Sequence, residues 1–187
     1  VLLGSCDISL QRTGPVNARF SAIGQRLAST AQTTVDATPI SIAMIPFSSG
    51  RAGITLNGTP LTRLTEAALK MDNGLEAVKT IRADGLIDGA APGPFRASGS
   101  ITRVASIADA LDAAIAAETP VAMVYTWTHP LRWSFKVSLP RVILPKPKQP
   151  LSTVGVLSAA YPFEAEVDSV AGYTAQVTMV NGQARYA

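Results

Sequence analysis

Apolar and polar side chains alternate with a period of two in several stretches of the chain. In residues 133–139 every second residue is apolar, and the residues between them are Ser or Lys. This alternation predicts a β-strand with one buried and one solvated face. The strand is expected to end at Pro140, because proline has no backbone N–H to donate to a sheet ladder.

The same pattern recurs on both sides of this strand. Residues 161–167 and 173–179 alternate in the same way. The apolar positions, predicted to face the core, include Tyr161, Phe163, Val167, Val177 and Met179. Each of these strands has a polar opposite face, which predicts sheets that are solvated on one side. Four more strands are predicted: residues 6–10 before a Gly-Pro turn, 16 to about 27, 40–44 before Pro46, and 121–127.

One segment has the spacing of a helix. Ser106 followed by Asp109 resembles a capping pair, and an apolar stripe follows at helical spacing. The helix should end near Glu118, because Pro120 cannot continue it. We therefore predict a helix from about Ser106 to Glu118 that lies on a sheet. Its apolar stripe is Ile107, Leu111 and Ile115.

Two long stretches, residues 46–60 and 82–95, show no periodicity and are predicted to be loops. Loops of this length in a compact domain usually have a role outside it. Both are rich in glycine and also contain apolar residues that a solvated loop does not favour. They are therefore predicted to contact neighbouring subunits or rings through Phe47, Arg51, Ile54, Leu56, Leu86, Ile87 and Phe95.

The composition predicts that much of the surface is buried between subunits. Hydrophobic residues make up 47% of the 187 residues and charged residues only 16%, against about 25% in a typical soluble domain. No stretch approaches the roughly 18 apolar residues that a membrane span needs. The apolar stretch at the start of the sequence is too short for a secretory signal and runs into polar residues. The length suits one domain, residues 1–187, and the net charge of +3 is low for a dedicated nucleic-acid binder.

Catalytic groups are scarce in the sequence. The chain has one histidine, His129, in a predicted turn, and one cysteine, Cys6, which is predicted to be a buried apolar residue. A hydrolytic triad needs a base held by a third group, and a zinc site needs several His or Cys ligands. No Gly-Lys-Ser/Thr phosphate loop is present. We therefore expect no enzymatic activity, no cofactor and no metal.

Several short motifs in chain order resemble the tail tube (major tail) proteins of long, non-contractile bacteriophage tails. The motifs are LKMDNGL at 69–75, ASGSIT at 97–102, FKVSLPRV at 135–142 and YPFEA at 161–165. The resemblance covers about Leu61 to Val180, and the first 60 residues match only in being β-rich. It implies two packed antiparallel sheets flanked by one helix, in a sandwich-like or barrel-like fold.

The resemblance also implies a function. Subunits of this family form hexameric rings that stack into a hollow tube, through which DNA passes without specific binding. The expected partners are further copies of the chain and the tape measure, terminator and distal-tail proteins. The expected location is the virion tail, assembled in the host cytoplasm, with no membrane contact.

Two alternatives remain open. A tail-terminator or distal-tail ring protein would share the fold without polymerising indefinitely. A β-barrel module that binds a small ligand or a carbohydrate would also be β-rich, but it should concentrate exposed aromatic residues or enclose an apolar cavity. Aromatic residues are only 6% of this chain and fall mostly on core-facing positions.

The polar strand faces suggest which residues line the channel. Glu164, Glu166 and Asp168 are predicted to share one strand face, where like charges are tolerated only if the face is wet, so a solvated wall is favoured over a metal site. Carboxylates on a channel wall would repel DNA phosphates over a Debye length of about 8 Å. The channel-lining candidates are Ser134, Ser138, Glu164, Glu166, Thr174 and Gln176.

Overall fold

The computed structural model describes residues 2–11, 13–24, 47–81, 84, 86–104, 110–130, 133–146 and 158–181. Most of these residues lie in β-strands, and one short helix, α1 (Ala110–Ala116), is present among them. The predicted fold class, mainly β with antiparallel sheets and one helix, is confirmed. The strands are β1 (Leu2–Gln11), β2 (Asn17–Ile23), β3 (Ala52–Leu56), β4 (Thr59–Pro60), β5 (Leu64–Asp72), β6 (Glu76–Val78), β7 (Gly89–Ala91), β8 (Arg96–Val104), β9 (Val121–Thr128), β10 (Ser134–Ile143), β11 (Ser158–Ala165) and β12 (Gln176–Val180).

Within the described residues, ten strands form one antiparallel sheet and two form a small separate one. The order in the large sheet is β2-β1-β5-β8-β11-β10-β9-β3-β4, and β12 pairs with β10 beside this path. Strands β6 and β7 pair only with each other in this part of the chain. The large sheet forms an open, sandwich-like structure, in which strands such as β1, β9 and β11 bury one apolar face and leave the other accessible.

Strand β10 is where the large sheet changes partners. Its first half, from Ser134 to Ser138, pairs with β12, and its last residues, Val142 and Ile143, pair with β11 on the same edge. The prediction that this strand ends at Pro140 is wrong. The pairing with β9 shifts register between Leu139 and Val142, so Pro140 lies in a bulge, where its missing N–H is tolerated and the strand bends.

The core lies between the apolar faces of the strands and contains the predicted aromatic residues. Trp127 on β9 is buried, 5.9 Å from the Tyr125 ring and 5.2 Å from the Phe135 ring, measured between ring centres. Strand β11 alternates between buried and exposed residues without interruption, as its sequence predicts. Arg103 is also buried, and its guanidinium carbon lies 5.5 Å from the centre of the Tyr161 ring, an arrangement that permits a cation–π interaction.

Other predicted elements are shifted or lie outside the described residues. Leu111 and Ile115 of α1 are buried as predicted, and the turn after α1 ends at Glu118, but residues 105–109 with the predicted cap lie outside the described part. So does the predicted strand 40–44. Strand β11 ends at Ala165, so Val167 is exposed, and the prediction that it faces the core is wrong.

Candidate functional site

Residues 52–60, predicted to be part of a loop, form a β-hairpin at the edge of the large sheet. Its turn is Asn57-Gly58, with positive φ angles of 48° and 82° that favour this pair of residues. The Asn57 side chain also accepts a hydrogen bond from the N–H of Ala122 at 2.8 Å. Ile54 and Leu56 point inward from β3 and are 2% and 3% exposed, so they belong to the subunit's own core and their assignment as inter-subunit residues is wrong.

The start of the same region, from Phe47 to Arg51, does lie at the surface. Phe47 is partly buried against the core, and its ring meets the buried His129 ring edge to face at 5.9 Å. His129 also stacks on Trp133 at 5.0 Å, within the turn between β9 and β10. Arg51 is exposed at the end of a 3-10 turn. Of the predicted contact residues in this region, Phe47 and Arg51 therefore remain accessible.

The second predicted loop forms part of an arm that leaves the large sheet. Strands β6 and β7 pair over Glu76–Val78 and Gly89–Ala91, and we call the described residues between 75 and 92 the arm. Leu86 and Ile87 lie half-buried within it, and Phe95 is exposed at its base. Ile81 near the tip is fully exposed. Ile81 was not among the predicted contact residues, although an isolated isoleucine in a polar stretch was the available signal.

The base of the arm is fixed to the large sheet by an Asn-Gly turn. The Asn73 side-chain amide donates a hydrogen bond to the Leu3 carbonyl at 2.9 Å, and the Gly74 N–H donates to the Asp72 carboxylate at 2.8 Å. Gly93 packs so tightly here that a Cβ on it would lie 2.6 Å from the Gly74 carbonyl oxygen. The hydrogen bond from Gly74 is the main reason that the pKa of Asp72 is lowered. The arm is therefore held rigidly at its base.

The channel-lining candidates lie on two different polar faces. The first, which we call the mixed-charge face, crosses β2, β1, β5, β8 and β11. Its charges alternate in sign across β2, β1 and β5, where a cavity of about 890 Å³ lies over the face. In register order the row reads Arg19, Asp7, Lys70, Ser98 and Glu164.

The second polar face, which we call the hydroxyl face, crosses β12, β10, β9 and β3. Gln176 pairs with Ser138 on β10, and Ser138 pairs with Val124 on β9. The neighbouring row contains Thr178 and the exposed Lys136. Ser134, Ser138 and Gln176 therefore share one face, which is separate from the face that carries Glu164.

Two other channel candidates lie just outside the strands. Glu166 follows the end of β11, and its carboxylate lies 3.0 Å from Arg141 Nε. Thr174 is buried, so it cannot face water in this subunit. Asp168 lies in a turn, where its carboxylate accepts hydrogen bonds from the N–H groups of Val170 and Ala171 at 2.9 and 2.6 Å. Glu164 and Glu166 line one small pocket together, whereas Asp168 lies beyond the end of the strand at Ala165. The prediction that all three carboxylates share one strand face is therefore wrong for Asp168.

An apolar groove of about 510 Å³ opens on the side of the sandwich between β1–β2 and β10–β12. Phe20 and Val177 stand at its mouth and are 64% and 50% exposed, and Leu3 beside them is also exposed. Trp127 and Phe135 lie in its wall. The sequence predicted that Val177 and Met179 face the core, but both are largely exposed. Exposed apolar patches of this kind mark interaction sites.

The described residues offer no assembled chemical site. They contain no group of three or more His, Cys, Asp or Glu residues placed to hold a metal ion. Cys6 is buried as predicted, and burial raises the pKa of its thiol, which lowers its reactivity. Burial likewise raises the pKa of Tyr125. In the described part of the chain, no helix is long and apolar enough to cross a membrane.

Comparison with known proteins identifies the family. The sequence model of the family described as "Phage tail tube protein" matches residues 1–165, including the first 60 residues in which the sequence analysis found no motif. No curated protein matches significantly. Among solved structures, the fold is similar to that of the anti-feeding prophage cap, the AFP tube terminating cap, with a TM-score of 0.55 and 11% identity over 79% of this chain and 99% of that one. Because the family model covers most of the 187 residues, the chain belongs to the phage tail tube protein family and is a structural, non-enzymatic component of the virion tail.

Proposed function

We propose that the chain is a ring-forming subunit of a tail tube, with six copies in each ring and rings stacked into a hollow tube that conducts DNA. The observation that carries this proposal is the apolar groove, whose mouth exposes Phe20, Leu3 and Val177. A monomer that kept such residues in water would lose the stabilisation of about 25 cal/mol per Å² that burial provides. A neighbouring subunit that covers the groove recovers it. The number six and the long, non-contractile tail rest on the sequence resemblance.

The arm supports contacts beyond one ring. It extends from a rigid base at Asn73 and Gly74 and carries the exposed Ile81 near its tip. Leu86 and Ile87 stiffen it from within, and Phe95 adds an exposed ring at its base. A rigid apolar projection costs little conformational entropy when it docks. We assign the arm to contacts between rings, together with Phe47 and Arg51 from the first predicted loop.

For the channel wall we propose the mixed-charge face with Glu164. This face is concave, and each cation on it has an acidic neighbour, such as Lys70 with Asp72 at 3.2 Å. Paired charges leave little positive potential to hold DNA phosphates. The hydroxyl face with Ser134, Ser138 and Gln176 would then face outward. A map of the assembled tube that places Glu164 on the outer surface would overturn this assignment in favour of the hydroxyl face.

A tube terminator is the second candidate function. The observation that favours it is the similar fold of the AFP tube terminating cap. A terminator has one ring surface that binds the tube and another that stops growth, whereas a tube subunit binds copies of itself on both. The two candidates therefore differ in whether rings of the purified chain stack on one another.

Light scattering combined with negative-stain microscopy tests the proposal. The purified chain is measured across a wide concentration range and then imaged. A tube subunit is expected to give rings with six-fold class averages and stacks of many rings. Single rings that never stack would favour the terminator. A species of 19.5 kDa at every concentration would overturn both candidates.

A further inference from the structure

The last strand of the described residues, β12, is added to the large sheet outside the part of the chain that matches the tail tube family. The match ends at residue 165, which is also the last residue of β11. After residues 166–175 the chain returns as β12 and pairs with β10 from Ser134 to Ser138. Strand β11 reaches only Val142 and Ile143 of that edge. The matched domain by itself therefore leaves a five-residue edge of β10 for another strand.

Strand β12 buries little against its own subunit. All five of its residues are exposed, whereas four of the eight residues of β11 are buried. The apolar side chains of Val177 and Met179 are 50% and 57% exposed. Apart from Val177 in the groove and the buried Thr174 just before the strand, β12 is therefore held mainly by its backbone pairing with β10. Segments with few buried apolar contacts open at low free-energy cost.

The segment before β12 has the form of a hinge. The Asp168 carboxylate and carbonyl hold a compact turn that includes Gly172, whose φ is 77°. Val170 in this turn is almost fully exposed. If the turn opens, residues 168–173 can span about 20 Å when extended. Opening of this turn would therefore give β12 a reach of about 20 Å from residue 168.

We propose that β12 is exchanged between neighbouring copies when the protein assembles. The β12 of one copy leaves its own β10 and pairs with β10 of the next copy in the same register. The exchange rests on the proposed function, since it needs adjacent subunits. The exchange costs little because the same strand pairings form again. When each copy gives its β12 to the next copy, the chain of exchanges closes into a ring. The approach of the neighbour also covers Val177 and Met179 beside the apolar groove.

Disulfide trapping tests the exchange on the full chain. Lys136→Cys with Thr178→Cys places two thiols at directly opposite positions on β10 and β12, within the Cα separation that a disulfide requires. Rings are assembled under reducing conditions, checked by light scattering, oxidised, and separated on a non-reducing gel. Exchange predicts covalent dimers and a ladder up to the full ring. A second paired variant, Ser138→Cys with Gln176→Cys, repeats the measurement if the first assembles poorly.

The controls and outcomes separate the exchange from the proposed function. Ser134→Cys with Gln176→Cys lies four residues out of register, about 13 Å apart along the strand, and should form no disulfide in either arrangement. The wild type, with only the buried Cys6, should form none. Rings whose chains are linked only within themselves would overturn the exchange and leave the proposed function intact. Failure of every variant and of the wild type to assemble would overturn the proposed function, and the exchange with it.

Discussion

Gly99 lies in the middle of β8, where three strands pack closely. It pairs with Leu69 on β5 and with Phe163 on β11. A Cβ on Gly99 would lie 2.6 Å from Cζ of Phe163 and closer still to the carbonyl oxygen of Ala68. The Phe163 ring can adjust by rotation, but the Ala68 oxygen belongs to the backbone of β5. Relieving the contact therefore requires β5 and β8 to move apart.

The cost of Gly99→Ala follows from this packing. Inserting a methyl group into a closely packed interior destabilises a protein by about 1–3 kcal/mol. Alanine is favoured over glycine in a strand by about 0.5–1 kcal/mol, which offsets part of the loss. The difference is about 0–2.5 kcal/mol, and because the closest contact is with backbone, we expect a net decrease of about 1–2 kcal/mol in the free energy of unfolding. For a domain of this size that lowers the melting temperature by about 2–8 °C.

Gly53→Ala is the matched control for this measurement. Gly53 also lies within a strand, β3, but no atom lies within 4 Å of where its Cβ would be. The control should therefore gain up to about 1 kcal/mol in stability. Both variants and the wild type are unfolded with urea at a concentration that keeps them unassembled, and followed by circular dichroism. A Gly99→Ala protein as stable as the wild type would refute the packing argument, and so would shifts of the same sign in both variants.

Three further predictions concern the arm and two surface carboxylates. Replacing Leu86 and Ile87 by Ser should leave the melting temperature of the large sheet unchanged and abolish stacking in negative stain, and stacks of normal length would contradict the role of the arm. Asp72→Asn should destabilise the protein at neutral pH. The pKa of Asp72 is lower in the folded state than the unfolded value of 3.8, so its carboxylate stabilises the fold at pH values above 3.8. This contribution is lost as the pH falls through the folded-state pKa. The difference from the wild type in urea titrations should therefore disappear at acidic pH. Glu166→Gln should change the free energy of unfolding by less than about 1 kcal/mol, since its ion pair with Arg141 is exposed, and a larger loss would show that the pair stabilises the bend in β10.

The pattern of residues was sufficient to predict the fold class and most of the central strands. Strands β9 and β11 and the first half of β10 follow the predicted alternation, because burying one face of a strand imposes a period of two on its sequence. Short motifs pointed to the family that the full comparison confirmed over residues 1–165. The scarcity of catalytic residue types also predicted a protein without enzymatic activity, in agreement with the family match. These properties depend on local spacing and on residue type, which the sequence states directly.

The surfaces were decided only by the tertiary structure. Alternation divides a strand into two faces, but it does not say which neighbour covers the apolar one. Ile54 and Leu56 occur in a stretch that resembles a loop, and pairing with β9 makes them core residues. Val177 and Met179 have the pattern of core residues, and the edge position of β12 leaves them exposed. Glu164 lies on a different face of the sandwich from the Ser and Gln candidates because of the strand order. That order depends on contacts between residues distant in sequence.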